Sequence, residues 1–266
     1  MYEFSYHKAA SLKDALEVLK ASDDGKLLAG GMTLLPTMKQ RLAAPDQLVD
    51  LAGLSELTGI EKYDDHIVIG AMTRHAEVVA SELVESSIPA LAALAELIGD
   101  PQVRNRGTLG GSVANSDPAA DYPAAVLGLN ASIVTDKRTI EADNFFVDLF
   151  ETELEEHEII TSVRFPIPDT AAYMKFPNPA SRYAVAGVFV ARFGSSVRVA
   201  VTGAGGCVFR QSDMEQALES DFSAAALDGI DVSSDDLNED IHASAEYRAH
   251  LVGVMAKRAV SACLVV

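Results

Sequence analysis

The pair Gly30-Gly31 constrains the fold more than any other local feature, because it falls between a predicted strand and a predicted helix. The segment Lys26 to Ala29 predicts a short strand, and Thr33 to Arg41 has a helical composition. Two glycines at such a junction allow a tight turn and leave backbone N–H groups open to an anion. The turn suits a pyrophosphate, although an ordinary turn between a strand and a helix has the same sequence.

A second glycine pair, Gly110-Gly111, lies in a segment of different composition. Between Gly99 and Pro123 glycine, asparagine, aspartate and proline dominate, which predicts a functional loop rather than a core element or a linker. We expect main-chain N–H groups and two hydroxyls to receive phosphate oxygens, and three polar side chains to bind ribityl or ribose hydroxyls. The hydroxyls are those of Thr108 and Ser112, and the polar side chains are Asn115, Asp117 and Asp121. A polar surface loop is the alternative.

Several common classes of binding site are disfavoured. No Gly-Lys-Ser/Thr follows either glycine pair, as a P-loop would require, and the G-x-G-x-x-G spacing of a Rossmann turn is absent. The formal charge of −18, from 21 basic and 39 acidic residues, opposes binding to nucleic acid. The chain has only Cys207 and Cys263, so a disulfide framework, a zinc site and an iron–sulfur cluster are unsupported.

The hydrophobic residues are spread along the chain, with no apolar run of the roughly eighteen residues that a membrane span needs. The first residues, MYEFSYHKAASLKDALEVL, lack the features of a secretory signal, and we expect a cytoplasmic protein. His75 is predicted to be a solvated surface group. The acidic run Glu151 to Glu158 is predicted to be a solvated loop rather than a metal site.

Helical and strand patterns alternate along the chain. Ser11 is predicted to cap a helix that ends before Ser22, and Thr73 to cap a helix that runs to about Glu82. Further elements are expected as helices over 87–98 and 245–264, a hairpin of strands over 131–135 and 138–142, and strands over 47–51, 66–71, 158–165, 185–193 and 197–203, with a third strand near Val208. A domain boundary is expected near Asp169 to Ala172.

The two glycine segments together carry a resemblance to a known family. The stretches LLAGGMTLLPTMKQRLAAPDQLVDL and DPQVRNRGTLGGSVANSDPAADYPA are similar to the two FAD-binding turns of the flavoprotein, or medium, subunit of molybdenum hydroxylases. The carbon monoxide dehydrogenase type is the most similar. The resemblance extends over nearly the whole chain and includes VIGAMTRHAEV and YMKFPNPASRYAVAGV.

The resemblance implies an α+β fold of the PCMH type found in the vanillyl-alcohol oxidase superfamily. Two FAD-binding subdomains, over residues 1–57 and 58–170, would be followed by a smaller α+β domain over 171–266. In this family Ala29 to Thr33 and Thr108 to Ser112 would hold the diphosphate of FAD, and Tyr183 would lie beside the isoalloxazine ring. The implied cofactor residues are Leu28, Ala29, Gly30, Gly31, Met32, Thr33, Thr108, Gly110, Gly111, Ser112, Asn115, Asp117, Asp121, Ile160, Lys175 and Tyr183. No catalytic residue and no metal ligand is implied.

Three residues depart from the family pattern. Met32 stands where a polar side chain is usual, Arg182 replaces the acid that commonly precedes the tyrosine, and Asn178 stands where a basic residue is frequent. Met32 removes a side-chain contact with the cofactor, but the backbone N–H groups of the Gly30-Gly31 turn remain available. The other two weaken the expected contacts of Tyr183.

The implied function is electron transfer within a larger enzyme. A large subunit would oxidise the substrate at a molybdenum cofactor, and a small subunit would carry electrons through iron–sulfur clusters. This chain's FAD would collect them for an external acceptor, in an assembly expected to be a dimer of heterotrimers. The alternatives are a self-contained FAD-dependent reductase or oxidase, and a non-catalytic scaffold that has lost FAD.

Overall fold

The computed structural model describes residues 1–265, and its first region is built around a small parallel sheet. Its elements are β1 (Ser5–Lys8), α1 (Leu12–Lys20), β2 (Gly25–Leu28), α2 (Leu34–Lys39) and β3 (Gln47–Asp50). The strand order is β1-β3-β2, and both pairings are parallel. The Ser11 hydroxyl caps α1 by accepting a hydrogen bond from the Asp14 amide at 3.1 Å, as predicted. The Gly30-Gly31 turn joins β2 to α2 at the end of this sheet.

The second region combines an antiparallel sheet with seven short helices. Its elements are β4 (Ile60–Lys62), β5 (His66–Gly70), α3 (His75–Val79), α4 (Glu82–Ser87), α5 (Pro89–Glu96), α6 (Pro101–Arg104), α7 (Leu109–Asn115), α8 (Tyr122–Gly128), β6 (Ser132–Thr135), β7 (Thr139–Glu141), α9 (Ala142–Phe145), β8 (Phe146–Asp148), β9 (Glu151–Thr152) and β10 (Ile160–Pro166). The main sheet has the order β4-β5-β10-β6-β7, and β8 pairs with β9. Strand β10 lies at the centre of this sheet, and Ile159, which precedes it, packs into the core of the first region.

The third region is an antiparallel sheet covered by a long helix. Its elements are β11 (Thr170–Pro177), β12 (Ala184–Phe193), β13 (Ser196–Thr202), β14 (Phe209–Arg210), α10 (Ser212–Ser220) and α11 (Ala245–Cys263). Alternate residues of β12 enter two different cores: Val188 and Val190 pack with α11, whereas Phe189 and Ala191 join the core of the second region. The third region is therefore packed directly against the second.

The predicted elements agree with the structure over most of the chain. The 131–142 hairpin, the 185–203 strand pair and the carboxy-terminal helix are present with small changes at their ends. Strands β1, β4, β8, β9 and β11 and helices α4, α9 and α10 were not predicted. The predicted α+β fold class is confirmed. The division at 57 and 170 stays a prediction, and its last residue, Val266, lies outside the described part of the chain.

Two predictions about the second region are wrong. Thr73 does not cap a helix: its hydroxyl accepts a hydrogen bond from the Gly59 amide and donates one to the Gly59 carbonyl, and α3 begins after Arg74. The segment 99–123 is not a loop, because it contains α6, α7 and the start of α8. Short helices have many ends, and capping residues such as Asp100 and Thr108 give the segment its polar composition.

Candidate functional site

A cavity of about 650 Å³ opens where the first two regions meet the start of the third. This volume lies within the range of small-molecule and cofactor sites. The lining residues come from the Gly30-Gly31 turn, from the residues around α7, from the start of β10 and from the connection between β11 and β12. One cavity thus brings together the two glycine segments, which are far apart in the sequence.

The first glycine turn provides the hydrogen-bond donors of the cavity. Within the described chain, the backbone N–H groups of Gly30, Gly31, Met32 and Thr33 donate no hydrogen bond, although all four residues line the cavity. Gly31 has a φ of +72°, which is the left-handed region that favours glycine. Successive unpaired amides in such a turn form a concave site for an anion. The geometry fits the diphosphate of a dinucleotide.

Close packing between the two glycine segments requires Gly30. A Cβ atom at this position would lie 2.1 Å from the carbonyl oxygen of Arg106 and 2.8 Å from the Cα of Gly107. On the other segment, a Cβ at Gly111 would lie 3.4 Å from the Cβ of Ala29. The glycines therefore let two backbones approach each other at the edge of the cavity.

The second glycine segment uses its own amides internally. The Leu109 and Gly110 amides donate to the carbonyls of Thr73 and Ala71 at 3.0 and 2.8 Å, and those of Gly111 and Ser112 donate to Thr108. These four amides therefore already have protein partners, and their expected role towards phosphate oxygens stays a prediction. They are paired because these residues form the first turn of α7 and its junction with the end of β5. The segment forms a wall of the cavity rather than its donor set.

Two side chains of α7 are available for a ligand. Ser112 and Asn115 line the cavity, are half-buried, and make no side-chain hydrogen bond to another described residue. The Thr108 hydroxyl, by contrast, is buried and caps α7 by accepting from the Gly111 amide at 3.2 Å. Its remaining hydrogen can still be donated into the cavity.

The Asp121 carboxylate belongs to a buried cluster that joins the second and third regions. It accepts hydrogen bonds from the Tyr173 hydroxyl at 2.5 Å and from the Lys175 ammonium at 3.0 Å. Burial raises the pKa of Asp121, and the charge of Lys175 and the Tyr173 hydrogen bond oppose that rise. Lys175 also donates to the Leu97 carbonyl, and its side chain is only 3% exposed. Lys175 therefore holds Asp121 and does not itself line the cavity.

Asp117 and Tyr183 are two further polar residues of the cavity, and they lie near Asp121. Both line the cavity, and Tyr183 is 45% exposed. Burial raises the pKa of the Tyr183 hydroxyl, and the charges of Asp117 and Asp121 add to that effect. Burial also raises the pKa of Asp117. An aromatic ring with a neutral hydroxyl thus stands at the open side of the cavity.

The two unusual residues near Tyr183 have structural partners. The Asn178 side chain accepts hydrogen bonds from the Ala180 and Ser181 amides at 2.9 and 3.2 Å, which fixes the turn. Arg182 has a φ of +65° and donates to the carbonyl of Gly99 at 3.1 Å. These contacts tie the Tyr183 loop to the second region.

The prediction for His75 is wrong. This side chain is 4% exposed, lines the cavity and packs against the ring of Tyr122 at a centroid distance of 5.3 Å. Burial, together with a smaller effect of the charge of Arg104, lowers the pKa of His75 to about 4. His75 is therefore a neutral side chain of the cavity wall at neutral pH.

The acidic run 151–158 is solvated only in part. Glu158 is buried, and it accepts hydrogen bonds from Arg138 at 3.0 Å and from Thr135 at 2.7 Å. Burial alone would raise the pKa of Glu158, but bonds from Arg138, from the Glu155 amide and from Thr135 lower it to about 2. Within residues 1–265, no group of three or more His, Cys, Asp and Glu side chains is placed to hold a metal ion.

All of the predicted cofactor residues except Leu28 and Lys175 line the cavity. Leu28 lies behind the turn, since its Cδ1 is 3.1 Å from the place of a Cβ on Gly31. The lining residues outside the predicted set are Lys26, Leu27, Leu34, Leu51, Ala71, Met72, His75, Ile98, Gly99, Val103, Gly107, Ala114, Ala120, Leu154, Glu158, Ile159, Ser181 and Arg182. Most are apolar residues with no chemical signal of their own, although adjacency to the predicted Ile160 could have indicated Ile159.

Comparison with known proteins places this architecture in a family. The family described as "FAD binding domain in molybdopterin dehydrogenase" matches residues 2–168. The nicotine 6-hydroxylase medium subunit of Paenarthrobacter nicotinovorans is 40% identical over 270 residues, which cover 96% of this chain and 95% of that protein. The carbon monoxide dehydrogenase medium chain of Hydrogenophaga pseudoflava is 36% identical over 277 residues, covering 97% and 96%.

Solved structures agree with the sequence relatives. A carbon monoxide dehydrogenase structure from Hydrogenophaga pseudoflava superposes with a TM-score of 0.89 at 36% identity, covering 99% of this chain and 98% of the matched chain. Quinoline 2-oxidoreductase from Pseudomonas putida 86 superposes with a TM-score of 0.87 at 28% identity, covering 98% and 96%.

The chain belongs to the family of FAD-binding medium subunits of molybdenum hydroxylases, which confirms the resemblance found in the sequence. It is a flavoprotein subunit of an oxidoreductase of the carbon monoxide dehydrogenase and xanthine dehydrogenase type. No helix among residues 1–265 is long and apolar enough to cross a membrane.

Proposed function

We propose that this chain holds one FAD in the 650 Å³ cavity and passes electrons within a cytoplasmic molybdenum hydroxylase. The observation that carries the proposal is the set of four unpaired amides at Gly30 to Thr33, next to a cavity of cofactor size. Four N–H groups suit the two phosphates of FAD and leave the walls of the cavity for the flavin and adenine rings.

The remaining predicted residues have complementary roles in this proposal. Ser112 and Asn115 donate from α7 to oxygen atoms of the phosphates and of the ribityl chain, because their polar groups have no protein partner within the described residues. Asp117 and Asp121 bind hydroxyls, and Ile160 supplies an apolar wall. Tyr183, which lines the cavity, would lie beside the isoalloxazine ring.

Bound FAD supplies the redox chemistry, and the chain supplies binding, orientation and electrostatics. No acid or base of the chain is needed for electron transfer. The two free cysteines, Cys207 and Cys263, cannot ligate an iron–sulfur cluster, which takes four such ligands. A small partner subunit with iron–sulfur clusters therefore delivers the electrons, and a large partner subunit with a molybdenum cofactor generates them. We expect a dimer of such heterotrimers.

The residues that choose the substrate belong to another chain. The relatives are named for nicotine, carbon monoxide and caffeine, yet these subunits are 30–40% identical to this chain over nearly its full length. Molecules so different in size share no recognition chemistry that one FAD-binding chain could provide. The proposal accordingly leaves the substrate and the external acceptor unassigned.

The division into domains is part of the same proposal. Residues 1–57 and 58–170 form two FAD-binding subdomains around their own sheets, and 171–266 form the smaller third domain. Three clusters of buried residues support this division, with one cluster centred in each range.

The absorption spectrum of the full chain, expressed with its neighbouring coding sequences, tests the proposal. We expect the bands of oxidised flavin at one FAD per chain, together with iron and molybdenum in the purified complex. A colourless protein that does not take up added FAD would refute the proposal and favour the alternative of a non-catalytic scaffold. A yellow protein that turns over a substrate alone, without iron or molybdenum, would establish the self-contained oxidase instead.

A further inference from the structure

The side chain of His75 has no partner that explains its burial. Its Nδ1 atom is enclosed by protein and makes no hydrogen bond within the described residues. A buried polar atom without a partner reduces stability by about 1–3 kcal/mol. An apolar residue would fill the same space without this cost. The imidazole is therefore disfavoured here unless its other nitrogen makes a compensating interaction.

The other nitrogen, Nε2, faces the second glycine segment at the edge of the cavity. A Cβ atom on Gly107 would lie 2.5 Å from Nε2. The main chains are joined at the same point, because the His75 amide donates to the Gly107 carbonyl at 3.0 Å. The position of the ring is thus fixed relative to the turn by its own backbone.

Gly107 also lies next to the anion cradle, which is the turn formed by the unpaired amides of Gly30 to Thr33. Its Cα lies 2.8 Å from the place that a Cβ on Gly30 would occupy, and Gly30 is the first of the four residues with unpaired amides. His75 and the cradle therefore flank Gly107 from two sides. Gly30 and His75 also both line the cavity, so one ligand in the cavity can contact both residues.

We propose that His75 is a phosphate-binding residue of this site, whose Nε2–H donates a hydrogen bond to the diphosphate of FAD. The inference rests on the proposed function, since it adds a side-chain donor to a cradle otherwise made of backbone amides. The ring carries its proton on Nε2, which leaves only an acceptor lone pair at the enclosed Nδ1. Burial keeps the pKa of His75 low in the absence of an anion, and Arg104 is the charged group that acts on it.

Variants of His75 in the full chain, prepared without FAD and then titrated with it, test the proposal. A hydrogen bond to a charged group contributes about 1.5–3 kcal/mol, so His75→Leu should raise the Kd for FAD about tenfold or more. His75→Gln can place an amide N–H near the position of Nε2 and should retain most of the affinity. His75→Asn ends near Nδ1 and should behave like the leucine variant.

Tyr122 provides a matched control. Its hydroxyl is also buried and without a partner, its ring packs on His75, and it does not line the cavity. Tyr122→Phe should leave the Kd for FAD unchanged. In the FAD-free protein, neither His75→Leu nor Tyr122→Phe should lower Tm, because each removes an unpartnered polar group and keeps the apolar contacts.

A phosphorus NMR spectrum of bound FAD, recorded at saturation, reports the contact directly. We expect one diphosphate resonance to shift in His75→Leu and to lie near its wild-type position in His75→Gln. The proposal is overturned by an unchanged Kd or an unshifted resonance in the leucine variant, or by an equal loss of affinity in Tyr122→Phe. If the leucine variant does not fold, the glutamine and asparagine variants decide, and equal affinities for these two refute the contact. Failure of the wild-type chain to bind FAD would refute the proposed function as well.

Discussion

Substitution of Gly30 by alanine tests the central geometric element of the site. The added Cβ would lie 2.1 Å from the Arg106 carbonyl oxygen, and real Cβ atoms essentially never come closer than 3.0 Å to such an atom. The two glycine segments must therefore separate by roughly 1 Å, since backbone cannot rotate away as a side chain does. Forced separation of packed segments costs about 1–3 kcal/mol of unfolding free energy.

In Gly30→Ala, the loss of FAD-binding free energy should be larger than the loss of unfolding free energy. The separation moves the unpaired Gly30 amide out of line with a phosphate oxygen, and each charge-assisted hydrogen bond contributes about 1.5–3 kcal/mol. Loss of one such bond raises Kd about 10- to 100-fold. Urea unfolding of the FAD-free chain measures the first effect, and titration with FAD, followed by quenching of flavin fluorescence, measures the second.

Gly253→Ala is the matched control for Gly30→Ala. Gly253 lies within α11, and a Cβ there would meet nothing within 4 Å. Alanine should stabilise this helix by about 0.5–1 kcal/mol and leave the Kd for FAD unchanged. Wild-type FAD affinity in Gly30→Ala would show that the first turn does not hold the diphosphate. Unchanged stability would show that the two segments are not in close contact.

Three further predictions use the same two measurements. Gly111→Asp places a carboxylate beside the first glycine turn and should weaken FAD binding by repulsion of the diphosphate, whereas unchanged affinity would refute that placement. Lys175→Met leaves the Asp121 carboxylate buried without its ion-pair partner and should lower the unfolding free energy by about 3–5 kcal/mol; a loss below 1 kcal/mol would show that the pair is not buried. The pKa of Glu158 falls from 4.5 to about 2 on folding, so its stabilising contribution is complete above pH 4.5 and is lost as the pH falls towards 2. Glu158→Gln should therefore flatten the pH dependence of stability in that window, and an unchanged slope would contradict the lowered pKa.

The sequence predicts this fold well where local pattern and tertiary structure agree. The buried strands β12 and β13 consist mainly of apolar residues, and α1 has both a cap and an apolar face. Strand β1 was missed because its residues are mostly exposed and it is held in the sheet by backbone hydrogen bonds, which leave no side-chain pattern. Propensity alone cannot detect such a strand.

Long-range contacts decide the parts of the site that the sequence did not predict. His75 follows two polar residues and looks exposed, but it is buried by contacts with Tyr122, 47 positions later, and with Gly107. Lys175 has the composition of a solvated residue, but its ammonium reaches Asp121 and Leu97 across the junction of two regions. Each of these contacts joins segments whose proximity depends on the complete fold.

The two glycine pairs look equivalent in the sequence, but the backbone amides around them differ in hydrogen bonding. The amides of 30–33 are unpaired, whereas those of 109–112 are already bonded to Ala71, Thr73 and Thr108. Anion binding at the first turn therefore depends on backbone groups, which every residue except proline provides. This explains why Met32, 39% exposed at a position that is usually polar, is compatible with the site. At Gly30 and Gly111 the close approach of the two segments requires that no side chain be present. Substitutions at these two positions should therefore reduce FAD affinity far more than any change of side chain at position 32.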